Sequence, residues 1–433
     1  HLLDFAQRPY PFEPHYWMRV MRNIPPLLDV LLLPAALLGH AWTTFKLYPP
    51  IAYAALAAAA VLYAQRALGL GWRGGVLAGL ATALYILNLR ISWDYQRQLL
   101  GSVLMILSLA YLDSRRRWGA GEATVAAALL VLTALSHEVT ALASIFLAAA
   151  YAHAAARRSD WAALTAGLAA LAFSALLELW YWGPARLVVP SEYTAVLPPG
   201  LVPYNAVDST REAVSYLVAG FGPTLPLALI AISALRPRYT AVALGTLLAA
   251  GLSPLVAPYT AVVTWYRFLI GVAPIVAPLA VAGLLRATCD GRVIAAYLLF
   301  LAVPGILFAY SFSQASMLAT SLREFPPALI PAGVDRLKDW SQLAQYFAEN
   351  PPAGPILVED ESTARWVHLA IRNPTPSTLV WAFPISQVCN LSSASGPLIL
   401  VTRGKLNLTC GPLTLLYNGT YKVYRLDPVP SLH

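Results

Sequence analysis

The sequence predicts a polytopic α-helical membrane protein with about ten visible transmembrane helices and a C-terminal extracytoplasmic α/β domain. Of its 433 residues, 58% are hydrophobic and only 12% are charged, whereas soluble domains are typically about 45 to 50% apolar and about 25% charged. The apolar residues also gather in long runs that a polar tail follows. These two observations exclude a soluble globular protein, a disordered chain and a coiled coil.

Ten apolar runs are predicted to cross the bilayer as helices, which takes roughly 17 to 25 residues. They occupy residues 49–66, 74–91, 98–113, 121–136, 139–156, 161–182, 213–235, 239–257, 267–286 and 291–312. Alternate connections carry the arginines, and cytoplasmic loops hold the excess of basic residues. These connections are therefore predicted to be inside: they contain Arg66, Arg73, Arg115, Arg116, Arg117, Arg157, Arg158, Arg236, Arg238, Arg286 and Arg292.

The formal net charge of +8 is explained by this topology. Most basic residues punctuate apolar segments instead of gathering on one soluble face, so no nucleic-acid partner is predicted. The lipid bilayer is the predicted surrounding, and the location is a plasma membrane that the chain crosses several times.

The same charge rule places residues 1–48 and 313–433 on the extracytoplasmic side of the transmembrane domain, residues 49–312. Segment 27–43 is apolar, but it is predicted to lie as a helix in the outer interface because of Pro26, Asp29 and Pro34. Since residues 1–48 begin outside with no helix before them, we expect a further transmembrane helix upstream of His1.

The tail, residues 313–433, has the pattern of a small soluble α/β domain with an extracellular location. A hairpin with an Asn-Gly turn, the strongest short-range hairpin signal, is predicted over residues 415–424. The other predicted elements are helices 337–349 and 362–371, a strand at 355–358, and strands around Leu379 and at 398–401.

The tail also contains sites for covalent modification. Cys389 and Cys410 are predicted either to form a disulfide in an oxidising compartment or to remain two buried thiols, and Cys289 is predicted to be a free thiol in an inside loop. Three acceptor sequons predict N-glycosylation at Asn390, Asn407 and Asn418.

Charged and polar residues at the membrane rim usually face a cavity or a partner, because burying them in lipid is costly. The candidates converge on the outer side: Asp4, Glu13, His15, Asp29, Asp94, Arg97, His137, Glu138, Glu192 and Arg267. Most have a structural alternative that the sequence leaves open. These alternatives are snorkelling anchors for Arg97 and Arg267, an interfacial loop cap for Asp94, helix caps for His137-Glu138 and Asp29, and solvated residues for Asp4 and Glu192.

At four places the sequence resembles the membrane glycosyltransferases of the GT-C superfamily, which includes protein O-mannosyltransferases and oligosaccharyltransferases. Phe12-Glu13-Pro14-His15-Tyr16 resembles the acidic-x-His-aromatic motif after their first helix, and residues 29–50 are similar to the rest of their first outer loop. Trp93-Asp94-Tyr95-Gln96-Arg97 is similar in position to their second acidic motif. Trp265-Tyr266-Arg267-Phe268 resembles the late Arg-Tyr or Arg-Phe element that contacts the lipid phosphate.

Two departures from the family pattern affect the expected site. The mannosyltransferase motif has two adjacent acids, whereas Phe12 precedes Glu13 here, which leaves the identity of the base open. Residues 313–433 lack the Trp-Trp-Asp-Tyr-Gly signature of oligosaccharyltransferases, so an acceptor site of that kind is not expected in the tail.

The resemblance implies an enzyme that moves a sugar from a polyprenyl-phosphate donor, dolichol-linked or similar, to a protein or glycan acceptor on the extracytoplasmic side. The expected catalytic residues are Glu13 as base, Asp4 as the second candidate, and Asp94. Those expected to bind the donor and its phosphate are Arg97, Arg267, His15, His137 and Glu138. Mg²⁺ or Mn²⁺, which take oxygen ligands, is an optional cofactor expected at Glu13, His15 and Asp94.

Two other classes of function stay open at this point. A transporter would place its binding site near the bilayer midplane between repeats, but no internal repeat is visible and the ionisable residues cluster at the outer rim. A catalytically inactive scaffold subunit of a cell-envelope complex is the other alternative, and Phe12 in place of an acid favours it.

Overall fold

The computed structural model describes residues 25–427, with gaps at 39, 95, 115–117, 182–212, 215, 257–265, 289, 315–336, 353, 360–362, 364–366, 368–379, 383–387 and 390–396. Contacts divide the chain into two compact units, His1–Pro331 and Ala332–His433.

The first unit is helical throughout the part that the structure describes. Its helices are α1 (Leu27–Leu37), α2 (Ala41–Arg66), α3 (Trp72–Leu84), α4 (Ile86–Asp94), α5 (Gln96–Ser114), α6 (Ala120–Ser136), α7 (Glu138–Ala156), α8 (Trp161–Tyr181), a π-helix (Tyr216–Phe221), α9 (Thr224–Leu235), α10 (Arg238–Val256), α11 (Tyr266–Ala287) and α12 (Gly291–Gln314).

Several of these helices are long and apolar enough to cross a membrane. Four qualify singly within the described residues: Leu47–Arg66, Glu138–Ala156, Trp161–Tyr181 and Arg267–Ala287. The bent pair α3 and α4 makes a fifth if it is one span, and shorter apolar helices lie at Ala120–Ser136, Thr224–Leu235 and Gly291–Ile306. A polytopic helical membrane protein is therefore supported, while the predicted number of ten spans stays a prediction.

The run predicted as one helix over residues 74–91 is broken at Tyr85, where the backbone is extended and the helix axis bends by 64°. The break frees carbonyl groups in the last turn of α3, and side chains satisfy them. Asn88 Nδ2 donates to the Thr82 carbonyl at 3.0 Å, and the Tyr53 hydroxyl donates to the Ala83 carbonyl at 2.8 Å. These polar contacts let the span bend within the protein interior.

Helix α11 is the centre of the first unit, because 94% of an 18-residue apolar stretch within Arg267–Ala287 is buried. A Cβ atom at Gly283 would overlap the Leu227 carbonyl oxygen of α9. Only glycine therefore allows this close approach of the two helices.

Asp113, in the last turn of α5, caps the start of α10 from a different helix. Its carboxylate accepts hydrogen bonds from the backbone amides of Tyr239 (2.9 Å) and Thr240 (3.0 Å) and from the Thr240 hydroxyl (2.6 Å). The Tyr63 hydroxyl of α2 is 2.7 Å from the same Thr240 oxygen. One carboxylate thus satisfies unpaired amides of a helix start and joins three helices.

We expect Asp113→Ala to lower the free energy of unfolding by about 1 to 2 kcal/mol, the usual cost of losing a helix cap, and so to lower the melting temperature in detergent. Asp290→Ala is the control, because the Asp290 carboxylate caps α12 through an exposed local contact with the Arg292 amide and its removal should cost less. Equal melting temperatures for Asp113→Ala and the unaltered protein would contradict the assignment.

The second unit contains α13 (Leu337–Glu349) and five strands: β1 (Ile356–Val358), β2 (Val380–Ala382), β3 (Leu398–Thr402), β4 (Leu413–Asn418) and β5 (Lys422–Leu426). The sheet order is β2-β1-β3-β5-β4, with β1 parallel to β2 and β3 and the other pairs antiparallel. Trp340, Leu343 and Phe347 form one face of α13 and pack in a shared core with β1 and β3.

The helix and strands observed in the tail agree closely with those predicted from the sequence. Helix 337–349 and the strands near 355–358, Leu379 and 398–401 are confirmed, while the predicted helix 362–371 lies mostly outside the described residues. The hairpin is also confirmed, but its loop is Gly419–Tyr421, because Asn418 still pairs with Lys422.

The loop is shifted because Tyr421 turns into the core. Its ring is 2% exposed and its hydroxyl accepts from Thr363 Oγ1 at 2.8 Å, which in turn accepts from Trp340 Nε1 at 2.9 Å. Burying a large aromatic side chain with its hydroxyl satisfied outweighs the preference of the Asn-Gly pair for the turn centre.

Cys389 and Cys410 form a disulfide, with Cα atoms 5.3 Å apart. Of the two alternatives that the sequence left open, the structure has the disulfide bridge.

Asn407 and Asn418, two of the three predicted glycosylation sites, are exposed, whereas Asn390 lies outside the described residues. Glycosylation of the three sites stays a prediction.

Candidate functional site

Several predicted site residues lie outside the described part of the chain: Asp4, Glu13, His15 and Glu192. Asp94 is the last residue of α4. The structure places five others at the ends of helices α1, α5, α7 and α11: Asp29, Arg97, His137, Glu138 and Arg267.

Arg97 pairs with Asp29 across two helices. Arg97 Nη2 of α5 is 2.7 Å from Asp29 Oδ2 of α1, and about a third of each side chain is exposed. The Tyr48 hydroxyl of α2 donates to the Gln96 carbonyl at 3.0 Å, so α2 is tied to the same turn. The Nε atom of Arg97 is buried and has no hydrogen-bond partner among the described residues, which leaves one donor available to a ligand.

Arg267 pairs with Glu138, the first residue of α7. The two groups are 3.8 Å apart, between Nη1 of Arg267 and Oε1 of Glu138, and the Glu138 side chain is only 15% exposed. The other oxygen of Glu138, Oε2, is 3.5 Å from His137 Nε2. Glu138 therefore contacts the arginine directly, so its carboxylate orients the Arg267 guanidinium.

His137 is the N-cap residue of α7. Its Nδ1 accepts a hydrogen bond from the Val139 backbone amide at 3.2 Å. This contact requires an unprotonated Nδ1, so the hydrogen-bond pattern assigns the neutral tautomer with the proton on Nε2, toward Glu138. In this arrangement His137 caps the helix and brings no positive charge to a phosphate.

Gln98 joins the two arginine-bearing helices and was not predicted from the sequence. It follows Arg97 in α5, it is fully buried, and its Nε2 donates to the Arg267 backbone carbonyl of α11 at 3.0 Å. An uncharged residue in an apolar run gives a weak signal. Gln98 could have been identified because a polar side chain inside a predicted span is costly and usually has a function.

Arg90 was also missed, although an arginine inside a predicted span is by itself a functional signal. It lies in α4, and only 4% of it is exposed. The broken span therefore buries a cation within the helical unit.

The starts of three helices meet at this place. Gln98 links the first turn of α5 to that of α11, and Arg267 links α11 to Glu138 of α7. The helices α5 and α7 also touch, because a Cβ at Gly101 would overlap the Thr140 side chain. Each helix start carries a partial positive charge of roughly half a unit, so the three starts favour a bound anion. The charges of Arg97 and Arg267 are balanced by Asp29 and Glu138, and the arginines contribute hydrogen-bond donors.

A metal centre is not formed by the described residues, among which no three His, Cys, Asp or Glu side chains group together. Both nitrogens of His137 are engaged, as described above. The predicted ligands Glu13 and His15 lie outside the described residues, so the Mg²⁺ or Mn²⁺ site stays a prediction.

No protein-family model matches the sequence, and no curated protein matches it. Solved structures do resemble the chain. ArnT from Cupriavidus metallidurans in the apo state has a TM-score of 0.56 at 13% identity, over 93% of this chain and 87% of ArnT. The same protein bound to undecaprenyl phosphate has a TM-score of 0.52 at 13% identity, over 95% and 88% of the two chains.

The chain has the GT-C fold. The likeness covers both units, so the resemblance found in the motifs is confirmed at the level of the fold. In the GT-C fold of this chain, the three helix starts with Arg97 and Arg267 form the candidate site, which is called the anion site below. A further structure, the arabinofuranosyltransferase AftD from mycobacteria, has a TM-score of 0.46 at 16% identity and covers 91% of this chain and 34% of AftD.

Proposed function

We propose that the protein is a membrane glycosyltransferase that moves a sugar from a polyprenyl-phosphate donor to an acceptor on the extracytoplasmic side. The observation that carries the proposal is the anion site, where three helix starts and two arginines meet. A structure with the same fold is bound to undecaprenyl phosphate, and a lipid phosphate is an anion that matches this charge pattern.

The roles of the two arginines follow from their contacts. Each already has one carboxylate partner, Asp29 for Arg97 and Glu138 for Arg267, which holds the guanidinium in place before the ligand arrives. The buried Nε of Arg97 offers a donor to a phosphate oxygen. A phosphate between the arginines would take charge-assisted hydrogen bonds from both.

The reaction needs a base and a stabilised leaving group. The acceptor hydroxyl oxygen attacks the anomeric carbon, the bond from that carbon to the phosphate oxygen breaks, and the phosphate leaves with the electron pair. Glu13 is the proposed base that takes the hydroxyl proton, with Asp4 as the second candidate and Asp94 as a further carboxylate. Arg97 and Arg267 stabilise the departing phosphate.

The disulfide between Cys389 and Cys410 supports an extracytoplasmic second unit, because disulfides persist in oxidising compartments. The proposed arrangement places this unit outside and the arginine-rich connections inside, in a plasma membrane. Acceptors on the outer side are then proteins or glycans of the cell envelope.

Labelling of introduced cysteines tests this topology. In a Cys289→Ser background, we expect an impermeant thiol reagent to label Lys405→Cys in intact cells, because Lys405 is exposed in the second unit, and not Arg66→Cys at the exposed end of α2. Both should react after permeabilisation. If the reagent labels Arg66→Cys but not Lys405→Cys in intact cells, the orientation in the membrane is the reverse of the proposed one.

Identification of the bound lipid tests the function. Mass spectrometry of the lipid that copurifies with the protein should find a polyprenyl phosphate or its sugar adduct. Polyprenyl alcohol, which has the same tail without the anion, should not compete for binding when added to the purified protein. Copurification of a small solute without an isoprenoid lipid would favour a transporter.

A further inference from the structure

Gln98 is buried at the junction of the two helices that carry the arginines. Its side chain is 0% exposed, and its Nε2 donates to the Arg267 carbonyl. Only a donor can face a carbonyl oxygen, so this hydrogen bond fixes which end of the carboxamide is nitrogen. The Oε1 atom therefore points away from Arg267.

That oxygen has no hydrogen-bond partner among the described residues. A buried polar group with unused capacity is costly to a folded protein. The hydrogen bond that Gln98 does make adds little stability in return, because the Arg267 carbonyl in the first turn of an α-helix also accepts the amide four residues later. A hydrophobic side chain at position 98 would therefore stabilise the fold at least as well as glutamine does.

The position of the contact explains what the carboxamide does. Gln98 follows Arg97 directly, and the residue that it holds is Arg267, so one side chain fixes the relative placement of both arginine-bearing turns. The next turn of α11 packs against the same place, since a Cβ at Gly271 would lie 3.4 Å from Gln98 Nε2 and 3.0 Å from Val139 Cγ1 of α7.

We infer that Gln98 is a positioning residue that holds the first turn of α11 so that Arg267 faces the lipid phosphate. This inference rests on the proposed function and adds a residue that neither the motifs nor the charges identify. Gln98 itself need not touch the donor, because it acts through the backbone of Arg267.

The test compares Gln98→Leu with the unaltered protein in binding of undecaprenyl phosphate and in melting temperature. We expect binding to weaken about tenfold, while the melting temperature stays the same or rises, because an unsatisfied buried polar group is removed. A merely structural residue would show the opposite, a lower melting temperature with the affinity kept. Gln65→Leu is the matched control, since Gln65 lies in α2 next to its last residue, away from the anion site.

A double mutant tests whether Gln98 acts through Arg267. In an Arg267→Ala background, Gln98→Leu should have no further effect on binding, because a residue that acts only through Arg267 loses its role with that side chain. Should Gln98→Leu fail to fold, Gln98→Met replaces it, with similar length and no donor. An undiminished tenfold loss in the Arg267→Ala background would overturn the inference.

Hydrogen exchange tests the positioning role of Gln98 separately from the proposed function. Backbone amides in the second turn of α11, which donate to the carbonyls of the first turn, should exchange faster in Gln98→Leu than in the unaltered protein, with or without lipid. If the unaltered protein binds no undecaprenyl phosphate, the proposed function fails, and faster exchange still supports the positioning role. Unchanged exchange together with unchanged binding would refute the positioning role alone.

Discussion

Arg267→Ala is expected to weaken binding of undecaprenyl phosphate roughly 30-fold or more. A desolvated charge pair with one partner removed costs about 2 to 5 kcal/mol, and the Arg267 side chain is 29% exposed, so the lower value of about 2 kcal/mol applies. The loss also leaves the Glu138 carboxylate beside the phosphate without its arginine. Repulsion between these two negative groups acts in the same direction.

Two variants control for the charge and for the helix. Arg267→Lys keeps the charge but not the planar fork, so an intermediate affinity is expected. Arg286→Ala removes an arginine from the last turn of the same helix, where it is exposed, and should leave lipid binding unchanged. Equal affinities for Arg267→Ala and Arg286→Ala would show that Arg267 does not hold the phosphate.

Glu13→Gln is expected to reduce turnover roughly 10² to 10⁴-fold, the usual contribution of a positioned acid or base. Glutamine keeps the size and hydrogen bonding of the side chain but cannot take the proton of the acceptor hydroxyl. Lipid binding should survive, because the phosphate contacts are assigned to the arginines. Turnover and binding therefore separate the role of Glu13 from that of Arg267.

Asp4→Asn distinguishes the two candidates for the base. If Glu13→Gln retains full transfer while Asp4→Asn abolishes it, the base is Asp4. If neither change affects transfer, the first outer segment has no catalytic role, and the inactive scaffold becomes the better account.

Much of the fold could be predicted because apolar periodicity and turn chemistry act locally. Helix 337–349 was predicted with the bounds that the structure has, since its apolar positions recur at helical spacing. The break at Tyr85 could not be predicted, because it depends on contacts from distant residues, such as the hydrogen bond from Tyr53 to the Ala83 carbonyl. The shift of the hairpin loop depends likewise on the tertiary burial of Tyr421.

The charged members of the anion site could be predicted, because an arginine or carboxylate at a membrane rim is conspicuous. Their pairing could not be predicted, since Arg97 and Asp29 are 68 positions apart. Gln98 was missed because its role depends on which backbone carbonyl it meets. Glu138 is predicted from the sequence to bind the donor, and this stays a prediction. Its contact with Arg267 adds a role that the sequence does not show, since the carboxylate orients the arginine.

Turnover of the donor lipid tests the central claim most directly. The purified protein is incubated with polyprenyl-phosphate sugars extracted from the source organism and with an envelope fraction as acceptor, and the released polyprenyl phosphate is measured. We predict release by the unaltered protein at a rate at least about 100-fold above that of Glu13→Gln. If the unaltered protein releases no more polyprenyl phosphate than a reaction without protein, although it binds the lipid, the claim that the protein is a transferase is contradicted.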